Sequence, residues 1–271
     1  AVVVCVAVRS AVFGNTRMVI LKLDNPLVEA SSLQRIWTAA SVQIDYLRLQ
    51  LVPAGLSSDY SFAQIPIARS LADPRALIFL LVILSSAVIG WLARARRPAI
   101  PFALGGYAIL FLPAGNFLFP VGTIMAERLA YAPSILFCAL LACGAWMLRG
   151  RFGKPVAIVL ALLIGAYGAL TIARNRTWSD VETFARAQLR SAPESAKANY
   201  NLGTVEQSAG RLDAAASHFR RAIEILPEYA EAMNNLGIVH KDKGDLETAI
   251  AYYKQAIGLR PGNARPLFNL G

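Results

Sequence analysis

Acidic side chains are scarce in the first two thirds of this 271-residue chain: residues 1–176 hold six Asp and Glu against 16 Lys and Arg. Histidine is down to two residues and cysteine to three, Cys5, Cys138 and Cys143, all in apolar surroundings. No Cys-x-x-Cys or Cys/His spacing is present, so neither a disulfide framework nor a metal site is expected, and the cysteines read as small buried hydrophobes. A Walker-type loop or other Gly-rich nucleotide cradle is missing too. No charged leader followed by a cleavage site marks a signal peptide. Charged residues make up only 16% of the chain and hydrophobic ones 56%, too apolar for one ordinary soluble domain.

The two ends of the chain differ in kind. Residues 177–271 carry 11 basic and 11 acidic side chains, so the formal net charge of +10 resides entirely in residues 1–176. The chain opens without Met in "AVVVCVAV" and stops at "LFNLG", so it is expected to be a fragment of a longer protein.

Four apolar stretches, about 76–93, 98–120, 130–148 and 154–173, approach or reach the ~20 residues a helix needs to cross a bilayer. Residues 1–8 read as the end of an earlier span. Runs this long and continuous suit helices rather than barrel strands. The short loops "RARR" (94–97) and "RGRFGK" (149–154) each bring three positive charges, which assigns them to the cytoplasmic side. The loop 9–75, the connection holding Glu127 and Arg128, and everything after 173 then face the other side. Arg174 and Arg176 run against that assignment. Within 9–75, residues 28–53 predict a helix stopped by Pro53. Its Leu33, Ile36, Trp37, Ala40 and Ile44 share a face suited to a membrane surface. Asp24 and Asn25 suit a turn ahead of Pro26.

After residue 176 the pattern changes to a repeat. "NYNLG" (199–203), "MNNLG" (233–237) and "LFNLG" (267–271) recur every 34 residues, as do Pro227 and Pro261, Ala222 and Ala256, and Phe219 and Tyr253. That is the tetratricopeptide signature, with repeats at 196–229 and 230–263 and a third opening at 264. Gly203 with Ala215, and Gly237 with Ala249, are expected to let the paired helices approach. Residues 177–195 form a connecting half repeat, with Ser179 and Glu182 as its capping box. The fold class expected is all-α: a polytopic membrane domain followed by a tetratricopeptide solenoid.

Such arrays bind extended peptide or protein in their concave groove. Asn201, Asn235 and Asn269 recur at the same spacing and form a column of amides. It resembles the asparagine ladder of the O-GlcNAc transferase superhelix, which would hold an acceptor peptide's backbone. The other reading is that these amides brace neighbouring repeats. His218 and His240 read as structural or surface residues.

Glu127 and Arg128 are the conspicuous charges of the membrane half, set between apolar runs in "PVGTIMAERLAYAPS" (120–134). Ionisable groups at such positions are costly and often functional. An interfacial Arg offers phosphate a fork of N–H donors. A pair clamping two spans, or simple snorkelling, is the alternative.

"LDNPL" (23–27), "LVPAGLSSDYSFAQIP" (51–66) and "FLPAGNFLFPVGTIMAERLAYAPS" (111–134), joined to outward-facing tetratricopeptide repeats, together resemble the transmembrane and tetratricopeptide repeat-containing family of O-mannosyltransferases. The likeness spans roughly 15–145 by motif and 177–271 by repeat. It implies a GT-C-type membrane glycosyltransferase that moves mannose from a polyprenyl-phosphate donor to Ser/Thr of proteins on the non-cytoplasmic face. That face is the endoplasmic reticulum lumen or the periplasm, according to source. Under that resemblance Arg128, Glu127, Tyr131 and Ser134 would meet the donor's phosphate and sugar. Asp24, Asn25, Ser57, Asp59 and Tyr60 would shape the site. The carboxylates available as a base are Asp24, Glu29, Asp45, Asp59, Asp73 and Glu127. The family's catalytic acid usually lies in an earlier outward loop, so no base is assigned. Partners implied are the lipid-linked donor, acceptor proteins and the bilayer; no cofactor, metal or nucleic acid is. Two other classes stay open: a non-catalytic membrane scaffold built on the repeats, and, less well supported by the few mid-depth polar residues, a transporter.

Overall fold

A computed structural model of the chain describes residues 21–53, 55–57, 60–62, 64–70 and 72–270. Residues 1–8, read as the end of a span, and Asp59 lie outside the described residues. All regular structure among the described residues is helical. The chain divides into two units, one of residues up to Leu56 with Pro66–Ala173, the other of Ser57–Ile65 with Arg174–Gly271.

In the first unit, a 3-10 turn Pro26–Val28 leads into α1, Ser32–Leu51. Ser31 starts α1 through a capping box: its Oγ accepts from Gln34 N and its own N–H donates to Gln34 Oε1. The helix buries Ala39, Val42, Tyr46 and Leu49, a helically spaced stripe. On the face suited to a membrane surface, Leu33 and Ile36 are exposed and Ala40 is buried. Helix α2, Pro74–Ala93, is capped by Asp73, whose carboxylate accepts from Arg75 N, with Pro at the first position.

The next apolar stretch, read from sequence as 98–120, is helical only over α3, Ala99–Phe111. At 13 residues α3 is too short to cross a bilayer by itself. Pro113 lacks an N–H, a Cβ at Gly115 would lie 3.0 Å from Phe111 O, and Asn116 takes φ 59°, so the chain turns there. A 3-10 turn Glu127–Ala130 then opens α4, Tyr131–Asn175, which breaks at Phe152 with φ −133° and ψ 38°. Straight, α4 would carry Tyr131 and Tyr167 about 54 Å apart. Tyr46 bonds Ala126 just before α4, and Tyr167 bonds Gln50 and Leu51 one turn further along α1. The chain therefore reverses at the break.

Three segments, Pro74–Ala93, Glu127–Gly150 and Phe152–Trp178, are long and apolar enough to cross a membrane. Little of their surface is buried within the chain, as suits helices that face lipid.

The second unit is the repeat array. Helix α5, Val181–Ser191, is capped by Asp180, not Ser179: Asp180 accepts from Thr183 N at 2.7 Å and from Ser179 Oγ at 2.9 Å. A carboxylate at 180 accepts from Thr183 N with charge assistance, so it takes the cap in place of the Ser179 hydroxyl. The repeats follow as α6 (Ala196–Ser208), α7 (Leu212–Ile225), α8 (Ala230–Asp242) and α9 (Leu246–Leu259), with α10 (Ala264–Leu270) opening a third. At Gly203 the close approach is to the Phe219 ring, an added Cβ lying 2.8 Å from Phe219 Cε1, and Ala215 is fully buried in the same core. At Gly237 the equivalent contact is the Tyr253 ring at 2.6 Å, with Ala249 O at 3.2 Å. Phe219, Leu236 and Val239 centre the core between the repeats.

Candidate functional site

Asn25, in "LDNPL", is wholly buried and uses both ends of its amide. Its Oδ1 accepts from Leu27 N at 3.0 Å, capping the 3-10 turn. Its Nδ2 donates to Asn116 Oδ1 at 2.9 Å and to Val121 O at 2.7 Å. Asn116, also buried, accepts from Val121 N at 2.8 Å and donates to Thr123 O at 3.1 Å and Ile124 O at 3.0 Å. Two side chains 91 positions apart thus satisfy the backbone of a loop that has no ladder or helix to do so. Asparagine fits position 116 because it tolerates left-handed backbone while offering both donor and acceptor.

Tyr46 fastens the same loop one step further on. Its hydroxyl accepts from Ala126 N at 2.9 Å and donates to Ala126 O at 3.0 Å. Its ring packs on Phe111, 4.9 Å between centroids. Burial pushes the Tyr46 hydroxyl up to about 12; the Ala126 bond opposes this, the Glu127 carboxylate adds to it and Arg128 opposes it. Glu127 and Arg128 therefore lie within electrostatic reach of a rigid, neutral phenol.

Beyond this anchor Glu127 is half-buried and Arg128 exposed. Arg128 forms no ion pair among the described residues, so its five donors remain available at the entry to α4. Tyr131 is exposed, and Ser134 donates its proton to Tyr131 O at 2.7 Å, which leaves that hydroxyl as an acceptor only. Asp24 is half-buried in the turn before Asn25. On the other flank of α1, Arg75 bonds Asp45 at 3.3 Å and Asp73 at 3.4 Å. Burial raises Asp45 against the pull of Arg75 and Arg48.

Ser57 and Tyr60 belong to the repeat unit, not to the unit holding Asn25. Ser57 is buried, its N–H donating to Tyr60 Oη at 3.2 Å and its Oγ accepting from Ser191 Oγ of α5 at 3.3 Å. Adjacency in sequence gave no sign of that separation.

The repeat asparagines are joined to their neighbours. Asn201 Nδ2 donates to Gln188 Oε1 at 3.0 Å, Asn235 Nδ2 to Tyr200 Oη at 3.2 Å, and Asn269 Nδ2 to Asn234 Oδ1 at 2.9 Å. Each spends one amide hydrogen on the preceding repeat and keeps one. Gln188, Tyr200 and Asn234 were missed from sequence, although 200 and 234 are themselves 34 apart. A cavity of about 520 Å³ opens beside Asn235 and Asn269, lined also by Asn234, Ile238, Arg265 and Phe268.

The family profile "Protein O-mannosyl-transferase TMTC, DUF1736" matches residues 15–87, and a tetratricopeptide repeat profile matches 194–262. Human Protein O-mannosyl-transferase TMTC1 is 33% identical over 72% of this chain and 23% of its own length. The chain belongs to the TMTC protein O-mannosyl-transferase family. Mouse TMTC4 is 30% identical over 79% of the chain and 30% of its own length, and fly Tmtc3 is 27% identical over 80% and 24%. The chain therefore spans a quarter to a third of these relatives. The crystal structure of MamA overlaps 54% of this chain and 81% of its own at 22% identity, but its TM-score of 0.32 is too low to carry weight. With its apolar helices, family membership marks this as a membrane protein whose relatives are named glycosyltransferases.

Proposed function

We propose that the protein carrying this chain transfers mannose from a polyprenyl-phosphate donor to Ser or Thr of proteins on the non-cytoplasmic side, with the repeats recruiting the acceptor. The observation that carries this reading is the Asn25–Asn116–Tyr46 anchor, which fixes the backbone just before Glu127 and Arg128. In the reaction the bond from mannose C1 to the phosphate oxygen breaks and one to the acceptor hydroxyl oxygen forms. The hydroxyl proton passes to a base, and polyprenyl phosphate leaves. Arg128 binds the phosphate and stabilises the charge that grows on it. Glu127 orients Arg128 or meets a sugar hydroxyl, Tyr131 adds a donor, and Ser134 accepts. The basic loops 94–97 and 149–154 face the cytoplasm in this reading.

The remaining amide hydrogens of Asn201, Asn235 and Asn269 serve an extended acceptor chain beside the cavity at Phe268. Labelled mannose supplied as polyprenyl-phosphate mannose to cells carrying the full-length protein tests the reading. Incorporation into membrane or secreted proteins is expected, with loss in Arg128→Ala. No incorporation by the unaltered protein, with partners still held on the repeats, would instead favour a membrane scaffold.

A further inference from the structure

Two spans end in the same four-residue form, "WLAR" (91–94) and "WMLR" (146–149). In both, the Arg guanidinium lies over the indole three residues before it, 3.4 Å from the ring centroid at Trp91 and 5.1 Å at Trp146. Both indoles are outward-facing, 65% and 72% exposed. Indole and guanidinium together suit the headgroup level of a bilayer, with the cation lifted on an aromatic face.

The Trp91–Arg94 pair also closes one end of an apolar cavity of about 590 Å³ between α1, α2, α3 and α4. Along α2 the lining runs Phe79, Ile83, Ser86, Gly90 and Arg94, one stripe at helical spacing. From Phe79 to Trp91 that is about 18 Å, close to the ~15 Å of one leaflet's hydrocarbon. Leu104, Gly105 and Phe137 form the facing wall. Gly105 keeps it open, since a Cβ there meets no atom within 4 Å. The far end is polar: Gln43, almost fully buried, has an Nε2 without a hydrogen-bond partner among the described residues. An apolar chain entering at Arg94 would stop there.

We infer that this groove binds one anionic phospholipid from the leaflet facing the 94–97 loop, with its phosphate on Arg94 and one acyl chain along α2. Three observations select that occupant: a groove apolar along its length, a depth matching one leaflet, and a cation at its mouth beside Arg96 and Arg97. One face of the Arg94 guanidinium rests on Trp91, and Nη1 donates to Trp91 O at 2.6 Å. Its remaining N–H groups are free to meet a phosphate. The inference does not rest on the proposed donor site at the entry to α4.

Full-length protein in neutral detergent is titrated with phosphatidylglycerol or phosphatidylcholine of matched chains, and bound lipid is read by native mass spectrometry. One phosphatidylglycerol per chain is expected, preferred roughly fivefold over phosphatidylcholine. Arg94→Gln, an exposed change needing no repacking, should bring that preference close to one. Gly105→Leu should fill the groove and remove retention of both lipids. Equal retention of the two lipids by the unaltered protein would overturn the inference, as would retention unchanged by Gly105→Leu. Tighter retention of polyprenyl phosphate in a third titration, lost in Gly105→Leu, would give the groove to the donor and overturn it as well.

Discussion

Asn25 donates to Asn116 across 91 residues of chain at 2.9 Å, and both amides are buried. Asn25 closes a hydrogen bond of the loop after α3 through Val121 O, while Asn116 accepts from Asn25 and closes three within its own loop, so the two segments are tied by this pair. Asn25→Ala leaves Asn116 Oδ1 short of one donor and Val121 O with none from Asn25. A cost of about 2–3 kcal/mol is expected. Asn25→Asp should be at least as harmful, because a carboxylate cannot donate to either oxygen. Thermal unfolding of the purified protein, with limited proteolysis of residues 117–126, reads both.

Tyr46→Phe removes both bonds to Ala126 while keeping the ring on Phe111. About 1–2 kcal/mol of stability should be lost. If the loop positions Arg128, the KM for the lipid donor should rise more than kcat falls. The alkaline behaviour has a definite sign. The hydroxyl is raised in the folded state from 10.0 to about 12. Its contribution is therefore intact below the unfolded value and lost as pH rises through that window. Melting curves should show an alkaline decline larger in the unaltered protein than in Tyr46→Phe.

Arg128→Ala should cut mannose transfer by about 10²-fold or more, the usual effect of removing a preorganised charge from a transition state. Repeat folding should not change, because Arg128 belongs to the other unit. Hydrogen exchange over residues 181–259 checks the second half of that statement.

Glu206 is buried beneath Arg186 and Arg211, which both also reach Glu182. Glu206→Ala removes the buried partner of two half-exposed guanidiniums that stay paired with Glu182, and a loss of about 1–2 kcal/mol from the first repeat is expected. Hydrogen bonds from Arg186 and then Arg211 hold Glu182 below its ordinary 4.5. Its share of the network is therefore present above that value and lost as pH falls below it. Exchange protection of α5 and α6 should weaken on acidification, and less so in Glu182→Gln.

Tyr253→Phe is expected to be neutral or stabilising by up to about 1 kcal/mol, since its buried hydroxyl has no hydrogen-bond partner among the described residues. Gly237→Ala should cost about 1–3 kcal/mol by driving a methyl group into the same ring. In the groove, Asn201→Ala with Asn235→Ala should weaken acceptor capture more than use of the lipid donor. Equal loss of both would leave these amides a bracing role alone.

Much of this protein is written in its chain alone. The 34-residue period fixes the repeats because each helix pair must present the same small and aromatic residues to its neighbour. Uninterrupted apolar length fixes α2 and both arms of α4, because lipid accepts only self-satisfied helices. Apolar content alone does not end α3 at Phe111, since Leu112, Phe117, Leu118 and Phe119 follow it; Pro113, Gly115 and Asn116 interrupt the run, and a buried hydrogen-bond network turns the chain there. Nor could local pattern find Asn116 or Tyr46, whose value comes from partners 80 to 91 residues away. The 34-residue spacing that located Asn201, Asn235 and Asn269 says nothing of which acceptor takes each amide hydrogen. Periodicity and composition are local quantities, and chain sequence sets them directly. Pairing of buried polar groups between distant segments exists only once the fold has brought those segments together.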